Sequence, residues 1–212
     1  LAEIGVYHQI TDMLRDSAFQ DVMSQLGDQS GRAIAESLDT QVFAEFANFS
    51  GDLGSTSTEL TANLILQAAA TLRGRKLTGP FFAVVHPACA YNLKKQLTTT
   101  LPYSGASAGA QLGAITQLGD SVLSNFYVGQ LAGVQIFESP LVASDATGGA
   151  TAYKNGVFAM NALGHAMRGG IDMNTLYLPA ARATDVVLKA VAGATTIQST
   201  FGVRITAEGT IN

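Results

Sequence analysis

The stretch that decides the fold runs from Ser17 to Phe49 and reads SAFQDVMSQLGDQSGRAIAESLDTQVFAEFANF. Apolar side chains recur along it every three or four residues, as they do on one face of a helix. They are Phe19, Val22, Met23, Leu26, Ala33, Ile34, Leu38, Val42, Phe46 and Phe49. This spacing predicts a single amphipathic helix, which at 1.5 Å per residue is about 45 to 50 Å long.

The ends and the interior of this helix carry further signals. Asp16 or Ser17 is expected to cap its start, and Ser50-Gly51 is expected to end it with a residue at positive φ. Gly27 and Gly31 each cost about 1 kcal/mol relative to alanine. They therefore indicate a bend, or a place where another backbone approaches closely.

The segments beside the helix predict a mixed fold. Residues 1–11 alternate apolar and polar side chains, which indicates a strand whose partner is either remote or missing. After a turn over residues 50–57, the capping-box spacing of Thr56 and Glu59 predicts a second helix that ends at Gly74. A buried strand over residues 81–85 follows, and Pro87 begins a third helix.

The second half of the chain is predicted to be rich in strands. The segment Thr98 to Gly119 is made largely of Thr, Ser, Ala and Gly, and it is expected to be a mobile loop or a weak helix. Short strand patterns follow over residues 126–128, 134–137, 157–160, 175–178, 184–190 and 201–206. Helices followed by strands indicate the α+β class.

Composition favours contact with other protein. Charged residues make up only 13% of the 212 residues, and the net charge is −4. Soluble domains usually have about 25% charged residues, so an unusual share of this surface is uncharged. No stretch approaches the roughly 20 apolar residues of a membrane span, and no signal peptide pattern precedes the first strand. Because the sequence starts at Leu1, we expect that preceding residues have been removed.

No catalytic, cofactor or metal site is predicted. His8, His86 and His165 lie far apart and lack partners at metal-ligand spacing. Cys89 and His86 form the one pair that could serve a small α+β enzyme, although a structural histidine beside a buried cysteine is the favoured interpretation. The lone cysteine also fits a reducing compartment.

Other candidate groups have structural interpretations. Gly105, Gly109 and Gly113 lack the following Lys-Ser/Thr of a phosphate loop, so they indicate a loop of low complexity. The carboxylates Glu36, Asp39 and Glu45 are expected on the polar side of the long helix, facing solvent or another subunit. Arg32 is expected to pair with Glu36, four residues further along that helix. The few basic residues are scattered, apart from those at 73–76 and 94–95, which disfavours binding of nucleic acid by a basic face.

The order of these elements resembles the Hong Kong 97-like fold of tailed-phage major capsid proteins. Four segments carry the resemblance: AVVHPACAYNLKKQL, YVGQLAGVQIFESPLV, NGVFAMNALGHAM and ARATDVVLKAVAGATTIQSTFGVRI. The resemblance covers nearly the whole chain. It rests on the order of the helices and strands and on the general similarity of these segments to those of family members. It implies the end of an extended loop and a spine helix in a peripheral lobe over residues 1–56, a mainly axial lobe over 57–160, and return strands of the peripheral lobe over 161–212. The resemblance also leads us to expect that the N-terminal arm and most of the extended loop of that family are missing from this sequence.

The family resemblance also implies a function. We expect a non-enzymatic subunit that forms hexamers and pentamers of itself and encloses double-stranded DNA without sequence-specific contact in the virion. Assembly is expected in the host cytoplasm, without a membrane, and with portal, scaffold and cementing proteins as candidate partners. The alternatives are an encapsulin-like compartment shell, a small enzyme that uses Cys89 and His86, and a tail or decoration protein.

Overall fold

The computed structural model describes residues 1–17, 22–99, 127–131, 133–145 and 151–210. Its α-helices are α1 Asp12–Ser17, α2 Val22–Ala44, α3 Ala62–Gly74 and α4 Pro87–Thr99, and 3₁₀ helices lie at Glu45–Asn48 and Ser199–Phe201. The strands are β1 Ala2–Thr11, β2 Gly51–Glu59, β3 Phe81–Val85, β4 Tyr127–Leu131, β5 Val134–Glu138, β6 Ser144–Asp145, β7 Ala152–Ala159, β8 Leu163–Leu178, β9 Ala183–Thr196 and β10 Gly202–Glu208. Helices and strands are both abundant, as the sequence predicts.

The chain forms two compact units. Unit 1 comprises Leu1–Val42 and Gly164–Thr195, and unit 2 comprises Phe43–Leu163 and Thr196–Asn212. The third segment proposed from the sequence, residues 161–212, therefore contributes to both units. Among the described residues, no helix is long and apolar enough to cross a membrane.

Unit 1 is a three-stranded sheet with a helix beside it. The strand order is β1-β9-β8, and β1 runs antiparallel to β9 with Ala2 opposite Ala192. The predicted first strand is thus confirmed, and its partner is remote in sequence. Every second side chain of β1 and β9 points to one face, where Ile10, Val186 and Leu188 pack with Ile34 of α2.

Unit 2 is built on a seven-stranded sheet. The order is β2-β10-β7-β3-β5-β4, and β6 pairs with β7. The pairs β2-β10 and β3-β5 are parallel, and the other pairs are antiparallel. Its main core joins residues of this sheet to apolar residues of α3 and α4, among them Ile65, Leu72, Phe81, Leu93, Val157 and Ile205. The predicted buried strand over 81–85 and the helix that begins at Pro87 are both confirmed.

An aromatic cluster packs on the other face of this sheet. The rings of Phe46 and Phe49 stack with their centroids 5.6 Å apart, and both contact Phe158. Glycine is required beneath them, because a Cβ at Gly156 would lie 2.8 Å from the Phe46 ring and one at Gly202 would lie 2.4 Å from the Phe49 ring. The close approach of ring and backbone fixes where the chain leaves α2.

The predicted long helix is correct in its centre and wrong at its ends. It is α-helical over Val22–Ala44, and residues 18–21 lie outside the described part of the chain. Helix α1 already begins at Asp12, and Thr11 Oγ1 accepts the Leu14 N–H at 3.3 Å. Asp16 and Ser17 are therefore not caps, because both already lie within α1.

At the other end, the last turn is a 3₁₀ helix over Glu45–Asn48. In a 3₁₀ helix, residues three apart lie on the same side, so this winding turns Phe46 and Phe49 together onto the sheet. Gly51 opens strand β2, and the residue at positive φ is Gly54 instead, at +77°. A Cβ added at Gly27 or Gly31 meets nothing within 4 Å, so no other backbone among the described residues approaches them closely.

The predicted turn and capping box over residues 50–59 are also wrong. Residues 51–59 form β2, because hydrogen bonds to β10 override their turn propensity. Helix α3 begins at Ala62 instead, with Thr61 as N-cap accepting the Leu64 N–H at 3.2 Å. Thr98 and Thr99 are the last residues of α4, and the rest of the predicted low-complexity loop lies outside the described residues.

Candidate assembly surface

Strand β8 contains the longest run of consecutive exposed residues in the part of the chain that the structure describes. It has 16 residues, and 13 consecutive ones, 165–177, are exposed. At about 3.3 Å per residue it is roughly 50 Å long. A strand normally buries at least one face, and the described residues of this chain bury neither face of β8.

The exposed residues of β8 include large apolar side chains. These are Met167, Ile171, Met173, Leu176 and Tyr177. Within the described residues β8 also ends the sheet, because β9 is its one neighbour. Unpaired backbone donors and acceptors along such an edge form a template for another strand. Exposed apolar area and a free edge together indicate contact with protein.

The sequence revealed only the end of this strand, residues 175–178. Alternation of apolar and polar residues marks strands that bury one face, and β8 has no buried face to produce it. Gly169 and Gly170 in its centre further weaken the strand pattern. Nothing in the local composition distinguishes such a strand from a loop.

Cys89 lies in an environment that opposes nucleophilic chemistry. Its side chain is fully buried, and its thiol donates to the carbonyls of Ala207 and Glu208 at 3.7 and 3.8 Å. Burial raises the pKa of the Cys89 thiol to about 11. At neutral pH about one thiol in ten thousand is then ionised, whereas reactive cysteines have pKa values lowered to about 3.5–7.5.

His86 is held by neighbours other than Cys89. Its ring stacks on Tyr153 with the centroids 3.5 Å apart, and its Nδ1 accepts the Ala88 N–H at 3.3 Å. Burial lowers the pKa of His86, which favours the neutral ring that this contact requires. The backbone N–H of His86 donates to Asn155 Oδ1 at 2.8 Å. These contacts fix the residue at the junction of β3 and α4.

The other histidines lie in separate places. Because the Ser30 hydroxyl donates to Leu26 O at 2.6 Å, His8 Nε2 donates to Ser30 Oγ, 2.8 Å away. His165 is exposed on β8. No group of three or more potential metal ligands occurs among the described side chains.

The three carboxylates proposed for the polar side of the long helix differ in setting. Glu36 and Asp39 are exposed on α2, as expected, but no ion pair joins Arg32 to Glu36 in the described residues. Glu45 lies in the 3₁₀ turn and does not face solvent freely.

The Glu45 carboxylate ties this turn to the end of β9. Its Oε2 accepts from Asn48 Nδ2 at 3.0 Å and from both the N–H and the hydroxyl of Thr196 at 2.9 Å. The bond from Asn48 and those from Thr196 lower the pKa of Glu45. Glu45 therefore joins two segments that are remote in sequence.

The basic residues near residues 73–76 and 94–95 are partly engaged within the protein. The Arg75 guanidinium donates to the carbonyls of Thr200 and Gly202, and Lys94 pairs with Glu138. A cleft of about 350 Å³ lies beside the first group, between residues 76–80 and 159–161 and Phe201. Neither His86 nor Cys89 lines this cleft.

The sequence and the fold were compared with those of known proteins to identify the family of this chain. A sequence model of the family described as phage capsid protein matches residues 1–207. No curated protein matches the chain.

Solved structures share the fold at low sequence identity. A structure from Mycobacterium phage Che8 has a TM-score of 0.73 at 16% identity, covering 96% of this chain and 70% of the other. The capsid of Ralstonia phage GP4 has a TM-score of 0.71 at 14% identity, covering 99% and 74%. The SrpI encapsulin complex from Synechococcus elongatus has a TM-score of 0.71 at 10% identity, covering 99% and 75%. The predicted Hong Kong 97-like α+β fold is thereby confirmed.

Proposed function

The chain belongs to the phage capsid protein family, and we propose that copies of it close into an icosahedral head around the double-stranded DNA of a tailed phage. It is a major capsid protein and thus a component of the virion. The observation that carries the proposal is the family match over residues 1–207, which leaves almost none of the chain for another function.

The exposed strand gives this proposal a physical basis. A shell subunit must contact neighbours on several sides in rings of five and six, and its contact surfaces are uncovered while it is alone. Strand β8 is uncovered in the same way, because 13 of its consecutive residues are exposed. We propose that unit 1 corresponds to the peripheral lobe and unit 2 to the axial lobe. This differs from the segments expected from the sequence in that residues 43–56 and 196–212 fall in unit 2.

The charge of the chain suits a container for DNA. Each phosphate contact by Lys or Arg strengthens sequence-independent binding to DNA, and a wall rich in arginine holds the genome tightly. This chain has 12 basic and 16 acidic residues. We propose that it encloses the genome without sequence-specific contact, that it assembles in the host cytoplasm, and that portal, scaffold and cementing proteins join it there.

The test is to express the chain and to image the particles by electron microscopy. We expect closed icosahedral shells built of pentamers and hexamers, with scaffold protein supplied if none form alone. A protein that stays monomeric by light scattering under both conditions would refute the proposal. Tubes, rings or spikes would favour a tail or decoration protein instead.

An encapsulin-like compartment is the second candidate. The observation that favours it is the SrpI encapsulin complex, whose TM-score of 0.71 equals that of the Ralstonia phage capsid. Purified shells separate the two functions by their contents. We expect DNA in particles from infected cells, whereas an encapsulin-like shell would hold protein cargo.

We further propose that the chain has no enzymatic activity. The fully buried Cys89 and the absence of a hydrogen bond between it and His86 in the described residues support this. Cys89→Ala is expected to leave shell assembly intact. If this variant lost a measured turnover while its fold was unchanged, the enzyme interpretation would replace ours.

A further inference from the structure

We propose that β8 pairs antiparallel with β8 of a second copy of this chain, around a two-fold axis at Gly170. The inference deepens the proposed function, on which it rests, by naming one contact between subunits. Its starting point is that β8 has a free edge and two exposed faces in the described residues. A second strand added to that edge would bond its backbone groups and cover apolar side chains.

The charges of β8 are complementary to themselves in this arrangement. Arg168 precedes Gly170 by two residues, and Asp172 follows it by two. When two copies run antiparallel around Gly170, Arg168 of each copy comes beside Asp172 of the other. Two opposite-charge contacts thus form at every two-fold axis, whereas a parallel arrangement in register would place like charges together.

The apolar side chains follow the same symmetry. Met167 and Met173 lie three residues on either side of Gly170, and both are exposed. Antiparallel pairing brings Met167 of one copy to Met173 of the other, twice per interface. A contact in which one surface patch meets an identical patch closes on itself, and such contacts are the commonest between identical subunits.

The centre of the strand permits close approach. A Cβ built at Gly169 or Gly170 has no heavy atom within 4 Å, so the space beside both glycines is open. Gly169 has φ of +73°, which an L-residue rarely adopts, whereas φ of Gly170 lies outside that left-handed region. Gly170 is therefore the position at which a side chain can report on the contact without straining the strand.

A disulfide test measures the pairing directly. In the proposed register the two Gly170 Cα atoms lie about 4.5 to 5.5 Å apart, within the range of a disulfide. We expect Gly170→Cys to form covalent dimers on mild oxidation of the full chain in its assembled state. Background is low because Cys89 is the single native cysteine and is buried.

Asn174→Cys is the matched control on the same exposed strand. Two copies of residue 174 lie eight residues out of register, about 27 Å apart, so this variant is expected to stay monomeric on non-reducing gels. Equal dimer yields from both variants would overturn the proposed register. Shells that form normally while Gly170→Cys gives no dimer would overturn the pairing.

A charge-reversal test uses complementary variants. Arg168→Asp gives each copy two acids at the contact, and Asp172→Arg gives each copy two bases. We expect each variant alone to associate about tenfold more weakly than the native chain, and a mixture of the two to recover association. Association at native strength by each single variant, measured by sedimentation, would contradict the charge contact.

The outcomes separate this inference from the function on which it rests. If the native chain assembles and neither test responds, β8 pairing is wrong and the capsid function stands. If the native chain forms no shells even with scaffold, the function fails. The Gly170→Cys test then still reports whether pairs form through β8.

Discussion

Strand β10 lies between two partners and buries five of its seven residues, whereas β8 ends its sheet and leaves 13 of 16 exposed. In β10 each neighbour and both faces come from the same chain, so its stability is intrinsic to the subunit. The structure leaves β8 without such cover, and we infer that another copy supplies it. By its burial β10 stabilises the subunit itself, whereas β8 is the strand that we propose connects it to a second copy.

The largest expected difference between β10 and β8 is in the free energy of unfolding that is lost when a buried or an exposed isoleucine is replaced by alanine. Ile205 in β10 is fully buried, and Ile171 in β8 is 48% exposed. Ile205→Ala is expected to lower the free energy of unfolding of the dissociated subunit by about 2 to 5 kcal/mol, since it leaves a cavity. Ile171→Ala should change it by less than about 0.5 kcal/mol. Urea denaturation measures both, and equal costs would show that β8 is packed in the free subunit.

Two asparagines extend the comparison to polar groups. Asn155 in β7 is fully buried, accepts from the His86 N–H at 2.8 Å, and donates to the carbonyls of Tyr153 and Ile205 at 3.3 Å. Asn155→Ala leaves the backbone N–H of His86 without its acceptor. It is expected to lower the free energy of unfolding by about 2 to 3 kcal/mol. Asn174→Ala in β8 is the control and should change the unfolding midpoint little. Comparable shifts in both variants would contradict a special role for the buried amide.

A smaller difference in stability is expected when one glycine in each of two strands is replaced by alanine. Gly54 in β2 has φ of +77°, and a Cβ there would lie 2.3 Å from Thr206 O, whereas one at Gly170 meets nothing within 4 Å. Gly54→Ala should cost about 1 to 3 kcal/mol, from backbone strain and the clash. Gly170→Ala should be neutral or slightly stabilising in the free subunit. A thermal shift of the same sign and size in both would argue against the constrained backbone at Gly54.

The smallest expected effect is a change in pH dependence at Glu45. Because its pKa in the folded state is lowered, the stability that it contributes is present above the ordinary glutamate pKa. That stability is lost as pH falls through the lower, folded-state pKa. Glu45→Gln should reduce the free energy of unfolding at neutral pH by less than about 1 kcal/mol. It should also make the free energy of unfolding fall less steeply as the pH is lowered.

Thr196→Val is the matched partner variant for Glu45. It removes the hydroxyl donor and keeps the backbone N–H. The loss of its unfolding free energy at acid pH should therefore lie between the losses of the native chain and of Glu45→Gln. Denaturation midpoints measured from pH 7 to pH 3 give both curves. Parallel curves for all three proteins would show that the carboxylate does not contribute through this contact.

Much of the fold could be predicted because its core strands and helices carry periodic patterns. The alternation over residues 1–11 and the apolar run over 81–85 follow directly from burial on one or both faces. The centre of α2 was predictable for the same reason. The start that was expected for it at Asp16 or Ser17 was wrong, because both residues lie in the separate helix α1, which begins where β1 ends.

What the sequence could not show depends on partners far along the chain. Residues 51–59 have turn-forming composition and become a strand because β10 pairs with them. The 3₁₀ turn at 45–48 is set by where the rings of Phe46 and Phe49 meet two distant glycines. The candidate surface on β8 was missed because a strand without a buried face has no periodic signal. Absence of a catalytic constellation stays a prediction.

The position of β10 has a consequence for synthesis of the protein. It lies between β2 and β7 and is the last strand of the described chain, so the seven-stranded sheet cannot close before residues 202–208 leave the ribosome. A polypeptide truncated before that point leaves two sheet edges open and Ile205 missing from the core. Residues 202–208 must therefore be synthesised before the sheet of unit 2 can be complete, and chains terminated before residue 202 are expected to stay partly unfolded.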